Sequence, residues 1–222
     1  MGKPDNCKGS MKADVIIFDF DGTLADSAPV MADCANELAE KYHYPKIGDW
    51  RKNRNKSTKE LLRESGISWY RLPFFMRDMK RMFRNKMISV KPFEGVKQML
   101  EALTPDKRLL VLTSNKLEVV QEFLMKNGLD YFDRMECNIP LFGKSKALQR
   151  LLKSESLTVD DVVYVGDEVR DIEACHQAMV PVIAVTWGMN TRERLLEVKP
   201  GWLADSPDEV LGILQNNISP KH

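Results

Sequence analysis

Short runs that are apolar at nearly every position alternate along this chain with longer stretches in which apolar residues recur every three or four positions. Val15-Ile16-Ile17-Phe18, Arg108-Leu109-Leu110-Val111-Leu112, Val162-Val163-Tyr164-Val165 and Val182-Ile183-Ala184-Val185-Thr186 are too short for helices and rich in branched residues, so each predicts a buried strand. Met135-Glu136-Cys137 and the segment around Trp202 to Ala204 add two shorter ones. Helical spacing appears at Val96, Met99, Leu100 and Leu103, and again at Val119, Val120, Phe123 and Leu124, where Gly128 is placed to end the helix. Further helices are predicted over 145–152, opened by Gly143-Lys144, and near 192–197 and 207–216. Strands alternating with helices predict right-handed βαβ units: an α/β fold with a Rossmann-like parallel sheet and helices on both faces. Ligands in such sheets bind beyond the carboxyl ends of the strands.

The stretch between the first two strands breaks this rhythm. Met31, Cys34, Ala35, Leu38, Ala39 and Tyr42 predict a helix from Pro29 to about His43. Residues 44–56 are polar and basic and read as a loop; Ser57 and Glu60 then form a capping box for a short helix ending near Gly66. Leu72, Phe75, Met76, Met79, Met82, Phe83 and Met87 stripe one face of a longer helix whose other face carries Arg77, Lys80, Arg81 and Arg84. The reading is a small α-helical domain at 27–90 inserted after the first strand of an α/β core made of 13–26 and 91–222. Residues 1–12, polar and aperiodic, read as a flexible lead-in without function.

Composition narrows the chemistry. The 222 residues are 43% hydrophobic, without the run of about 18–20 apolar residues that a membrane helix requires, so a soluble cytoplasmic protein with no membrane partner is expected. Cys7, Cys34, Cys137 and Cys175 are scattered and the histidines are only His43, His176 and His222, which favours reduced thiols over a zinc site and leaves acid–base work to carboxylates. The net charge of +1 conceals an asymmetry. Residues 44–91 hold 14 Lys and Arg against 4 Asp and Glu, a net +10, and the remainder holds 19 against 28, a net −9.

The densest chemistry follows the first strand, in Asp19-Phe20-Asp21-Gly22-Thr23-Leu24-Ala25-Asp26-Ser27. Side chains two apart on an extended segment face the same side, so Asp19 and Asp21 converge while Gly22 lets the backbone turn away. Two close carboxylates raise each other's pKa unless a cation lies between them, and Mg2+ suits oxygen ligands of this kind. A strand-end turn capping the next helix is the bland alternative, but it needs one Asp rather than three. Three more strand or loop ends carry polar groups: Thr113-Ser114-Asn115, Lys144 in GKSKAL, and Asp167 with Asp171 in VGDEVRDIEA. Taken singly, the first could be a helix cap and the second a surface lysine.

Together and in this order, DxDGT, TSN, GK and GDxxxD resemble the four motifs of the haloacid dehalogenase superfamily, most closely its phosphoglycolate phosphatase-like members. The resemblance implies a phosphatase that uses Mg2+ to hydrolyse a small phosphomonoester through an aspartyl-phosphate. Asp19 would be the nucleophile, Asp21 the general acid and base, and Thr113 and Lys144 would complete the catalytic set, with Lys146 as the reserve lysine. Gly22, Thr113, Ser114, Asn115 and Lys144 would bind substrate. Asp19, Asp21 through a backbone oxygen, Asp167 and Asp171 would hold the metal, with Glu168 a possible participant. The inserted helices would be the cap, entered through Asp26 and Ser27. The chain departs from the pattern at Ser145, where relatives often carry Pro, and at Ala178-Met179, where they usually carry Gly.

Asp21 argues against dehalogenation, because a halide leaving group needs no proton; a phosphomutase keeps both aspartates and remains the alternative. A phospho-accepting regulatory module would need neither Asp21 nor a cap. The partner expected is a small phosphorylated anionic metabolite, which the basic segment would draw toward an acidic core, in a monomer or homodimer. Nucleic acid is not expected, since no binding motif accompanies the basic residues.

Overall fold

The computed structural model describes residues 13–215. The predicted lead-in, Cys7, His222 and the last helix's end at Asn216 lie outside them. Six strands, β1 (Val15–Phe18), β2 (Arg108–Leu112), β3 (Arg134–Glu136), β4 (Val162–Gly166), β5 (Val182–Val185) and β6 (Trp202–Ala204), form one sheet in the order β3-β2-β1-β4-β5-β6. Every pairing is parallel, and Phe18 lies level with Val111 on one side and Val165 on the other. The order reverses direction at β1 and β4, which opens a crevice at the carboxyl edge between them.

Strands β1, β2, β4 and β5 are buried on both faces, and their two-residue alternation sorts side chains between two cores. Ile16, Phe18, Leu109, Val111, Val163, Val165, Ile183 and Val185 pack on α4 (Val96–Leu103), α5 (Leu117–Asn127) and α9 (Pro207–Gln215). Val15, Ile17, Leu110, Leu112, Val162, Tyr164, Val182 and Ala184 face α6 (Lys144–Glu155), α7 (Val169–Ala178) and α8 (Arg192–Glu197). Each fully buried Leu or Val contributes about 1.5–3 kcal/mol relative to exposure. The expectation of a parallel α/β sheet covered on both faces is met. The predicted Gly128 cap is present, in the left-handed conformation.

Met179 takes over the role of the glycine expected after α7. Its φ is +57°, Met179 N–H donates to the His176 carbonyl at 3.2 Å and Val180 N–H to the Cys175 carbonyl at 2.9 Å. The side chain is 77% exposed, so the missing glycine costs backbone strain of about 1–2 kcal/mol and no packing.

Between β1 and β2 lie α1 (Ala28–Tyr42), α2 (Thr58–Glu64) and α3 (Leu72–Lys86). The Ser57–Glu60 capping box forms as its spacing predicts. Residues 44–56 are not wholly loop: Asp49 caps a 3-10 turn over Trp50–Asn53 by accepting from Arg51 N–H at 3.1 Å. The Met and Phe stripe of α3 also divides. Phe75 joins Leu38 and Tyr42 in a small cluster of the helical segment, whereas Phe83 and Met87 are buried in the main core. The two chain crossings lie side by side, Asp26 N–H donating to the Lys91 carbonyl at 2.9 Å and Phe93 N–H to the Leu24 carbonyl at 3.2 Å. Among the described residues the three cysteines are free and no helix is long and apolar enough to cross a membrane.

Candidate active site

The carboxyl ends of β1, β2 and β4 bring the motif residues together from four parts of the chain. β1 leads into Asp19, whose N–H donates to the Val165 carbonyl at 2.8 Å and which is 2% exposed. Asp19 Oδ1 accepts from Phe20 N–H at 2.7 Å, while Oδ2 lies 2.6 Å from Lys144 Nζ yet receives no hydrogen bond of good geometry. Lys144 starts α6 and is buried; Asp171 Oδ1 accepts from its ammonium at 2.5 Å. Burial alone would lower the lysine's pKa, but the Asp171 and Asp19 carboxylates outweigh it and hold the ammonium above the ordinary lysine value. Its charge also sits 5.6 Å over the ring of Tyr164. Lys146, two residues on, is exposed on the helix, so only Lys144 reaches the site.

Asp21 belongs to the same loop but has a different surrounding. Its Oδ2 accepts from Asn115 Nδ2 at 2.6 Å, and its Oδ1 is buried without a partner. Burial raises this carboxyl's pKa, opposed in part by the nearby Ser27 hydroxyl and then by the Asn115 amide. Asn115 N–H in turn donates to Thr113 Oγ1 at 3.2 Å, and Thr113 is fully buried at the end of β2. Ser114 offers its carbonyl to Lys80 Nζ of α3 at 3.2 Å, which brings one cation of the helical segment to the lip of the site.

β4 delivers Asp167, which is inaccessible to solvent. Thr23 Oγ1 donates to its Oδ1 at 3.0 Å and Met189 N–H to its Oδ2 at 2.6 Å. Two glycines make this approach possible: a Cβ at Gly22, whose φ is +77°, would sit 2.1 Å from Asp167 Oδ2, and one at Gly188 would sit 2.2 Å from the same atom. Asp171 also closes the first turn of α7, its Oδ2 accepting from Glu168 N–H at 3.2 Å. Glu168 is buried and accepts from Thr58 Oγ1 of α2 at 2.5 Å and from Arg170 Nη2 at 2.6 Å.

One carboxylate oxygen from each of Asp19, Asp167 and Asp171 lies within 4.8 Å of the others. Burial pushes the Asp167 carboxyl well above the usual carboxylate range, and the charges of Glu168, Asp19 and Asp171 push it further. A site that concentrates buried anions with hard oxygen donors, and leaves Asp19 Oδ2 without a hydrogen bond, fits a hard divalent cation. The Asp21 carboxylate is turned to Asn115 and stands outside that trio.

All the predicted residues therefore meet at one sheet edge, with Lys146 the exception. Thr23 and Arg170 also touch these carboxylates. Thr23 is legible as the last residue of the DxDGT signature, whereas Arg170 shows nothing in sequence of its contact with Glu168 and the Leu141 carbonyl.

A family model for haloacid dehalogenase-like hydrolases matches residues 16–185. A phosphoglycolate phosphatase of Synechococcus elongatus is 34% identical over 200 residues, covering 88% of this chain and 94% of that protein. One from Xylella fastidiosa is 29% identical over 194 residues, covering 80% and 82%. Among solved structures, a haloacid dehalogenase-like hydrolase from Streptococcus pneumoniae superposes with a TM-score of 0.79 at 20% identity, covering 91% of this chain and 99% of that one.

Proposed function

The chain belongs to the haloacid dehalogenase-like hydrolases and is a phosphatase, and we propose that it hydrolyses a small phosphomonoester through an aspartyl-phosphate on Asp19, with Mg2+ as cofactor. The observation that carries this reading is the meeting of Asp19, Asp167 and Asp171 with the Lys144 ammonium beside a separately held Asp21.

In the first half-reaction an Asp19 carboxylate oxygen attacks phosphorus, the phosphorus–oxygen ester bond breaks, and Asp21 gives its proton to the departing alkoxide. In the second, Asp21 takes a proton from a water that attacks the acyl phosphate, releasing phosphate and restoring Asp19. Asn115 positions the Asp21 carboxylate for both steps. Thr113, Ser114, Asn115 and the Gly22 turn supply hydroxyl and backbone donors for the phosphoryl oxygens, and Lys144 adds charge where negative charge develops. The cation would be held by Asp19, Asp167 and the Asp21 backbone oxygen, with Asp171 supporting it; when bound, it neutralises phosphoryl oxygens and so lowers the cost of anionic attack. Residues 27–90 act as a cap over the crevice, and its excess of Lys and Arg favours an anionic substrate. Phosphoglycolate leads the substrate candidates because the relatives above carry that name.

The test is phosphate release from a panel of phosphomonoesters led by phosphoglycolate, with Mg2+ and with chelator, in wild type and Asp19→Asn. Release that needs the metal and falls by about 10^4-fold or more in the variant is expected for loss of a nucleophile. Undiminished release by Asp19→Asn overturns the mechanism. Isomerised sugar phosphate without free phosphate would favour a phosphomutase instead.

A further inference from the structure

The loop between β5 and α8 touches the site on one side and the helical segment on the other. Toward the site, Met189 N–H and the close packing of Gly188 hold Asp167 Oδ2, and Asn190 N–H donates to the Asp167 carbonyl at 3.3 Å. Away from it, Arg54 Nη2 donates to the Thr186 carbonyl at 2.6 Å and Thr191 N–H to the Arg54 carbonyl at 3.0 Å. Asn190 joins the two sides. Its side chain is 1% exposed, its Oδ1 accepts from Val169 N–H at the start of α7 at 2.9 Å, and its Nδ2 donates to the carbonyls of Arg54 at 2.9 Å and Lys56 at 2.8 Å.

Only one orientation of that amide satisfies this set, since an N–H faces the oxygen and two carbonyls face the nitrogen. Only the carboxamides of Asn and Gln present one acceptor and two donors in one plane, and Gln is one methylene longer. A buried polar group so fully paired is costly to disturb on either side, because whichever partner leaves strands a desolvated group.

We infer that Asn190 is a positioning residue that couples seating of residues 54–56 to placement of Asp167, so that cation binding at the carboxylates and closure of the helical segment favour each other. The inference rests on the metal reading above and adds to it a residue and a direction of coupling. Coupling between two sites is reciprocal: whatever Asn190 contributes to closure when the cation is bound, it contributes equally to cation affinity when the segment is closed.

The test uses the full chain and Mg2+ alone, without substrate. Amide hydrogen exchange is followed over 54–60 and 166–171, and Mg2+ affinity is measured by calorimetry, in wild type, Asn190→Ala and Arg194→Ala. Arg194 pairs with Glu60 across the same interface at 2.9 Å and forms its other ion pair with Glu197 rather than with Asp167, so its variant controls for simple loosening. Wild type and Arg194→Ala are expected to gain Mg2+-dependent protection in both segments. Asn190→Ala at saturating Mg2+ keeps protection over 166–171, loses it over 54–60, and binds Mg2+ about 5-fold or more weakly. Mg2+-dependent protection of 54–60 that survives in Asn190→Ala overturns the coupling. Absence of Mg2+ protection over 166–171 in wild type overturns the metal reading first and the coupling with it. Should Asn190→Ala fail to fold, Asn190→Asp, which keeps an acceptor for Val169 N–H but has no donor for the Arg54 and Lys56 carbonyls, must show the same selective loss of protection over 54–60, and its failure to do so overturns the inference.

Discussion

The sheet and the helical segment above it are held by different physics. The strands interlock in two large cores whose side chains are nearly all solvent-inaccessible. The segment's own core is the cluster of Leu38, Tyr42 and Phe75, filled out by part-exposed methionines, beside a buried Asp78 that accepts from Lys41 at 2.5 Å and Tyr42 at 2.9 Å. Lys41, then Tyr42, hold the Asp78 carboxyl below the usual carboxylate range. The segment is anchored to the main core by Phe83 and Met87, but its contacts at the sheet edge include polar ones that run through single residues such as Thr58, Arg54 and Lys80. A rigid sheet can hold reacting carboxylates to fractions of an ångström, whereas a softer lid can open for substrate without unfolding what lies beneath it. This division is the reason to place the chemistry in the sheet and selection of the substrate in the helices.

Ion pairs give the sharpest way to break this comparison. Lys144→Met leaves the buried Asp19 and Asp171 uncompensated and should cost about 3–5 kcal/mol in denaturant unfolding without metal, along with phosphatase activity. Removing Lys56, whose pair with Glu64 in the helical segment spans 2.6 Å near the surface, should cost about 0–1 kcal/mol. Equal costs would erase the distinction. Apolar truncations come next: Leu110→Ala should cost about 2–5 kcal/mol, and Met76→Ala about 1 kcal/mol, because that thioether is flexible and part-exposed. The smallest effect concerns the net +10 of residues 44–91. Raising salt should lower kcat/KM for a charged phosphomonoester by about ten-fold at most and leave kcat unchanged; salt independence removes electrostatic steering.

The centre of the sheet was legible because β1, β2, β4 and β5 are buried on both faces and so spell nearly unbroken apolar runs, whereas the edge strand β3 is half-buried Arg-Met-Glu. The motif carboxylates were legible because two-residue and four-residue spacings place them at one edge once the strands are recognised. Periodicity shows that a face is buried but not against what, which is why the stripe of α3 read as one core when Phe83 and Met87 belong to another. Asn190 and Asp78 were illegible for a related reason: their partners are fixed by tertiary contact, 134 and 136 positions away for Asn190, and an isolated Asn or Asp carries no pattern. Lys144 and Lys146 could be separated only when the start of α6 showed which of them turns inward. Met179 shows that a positional preference for glycine can be overridden where the side chain has open solvent to point into.

The central claim is that Asp19 carries the phosphoryl group between two half-reactions. It is tested most directly by acid-quenching Asp21→Asn during turnover of an aryl phosphate, whose leaving group departs without a proton, and mapping the modified peptide by mass spectrometry. The account predicts one phosphoryl group on Asp19, accumulating because the water that would remove it has lost its base, and none in Asp19→Asn. Steady phosphate release by wild type, with Asp19 unmodified in both proteins at every quench time, would contradict it.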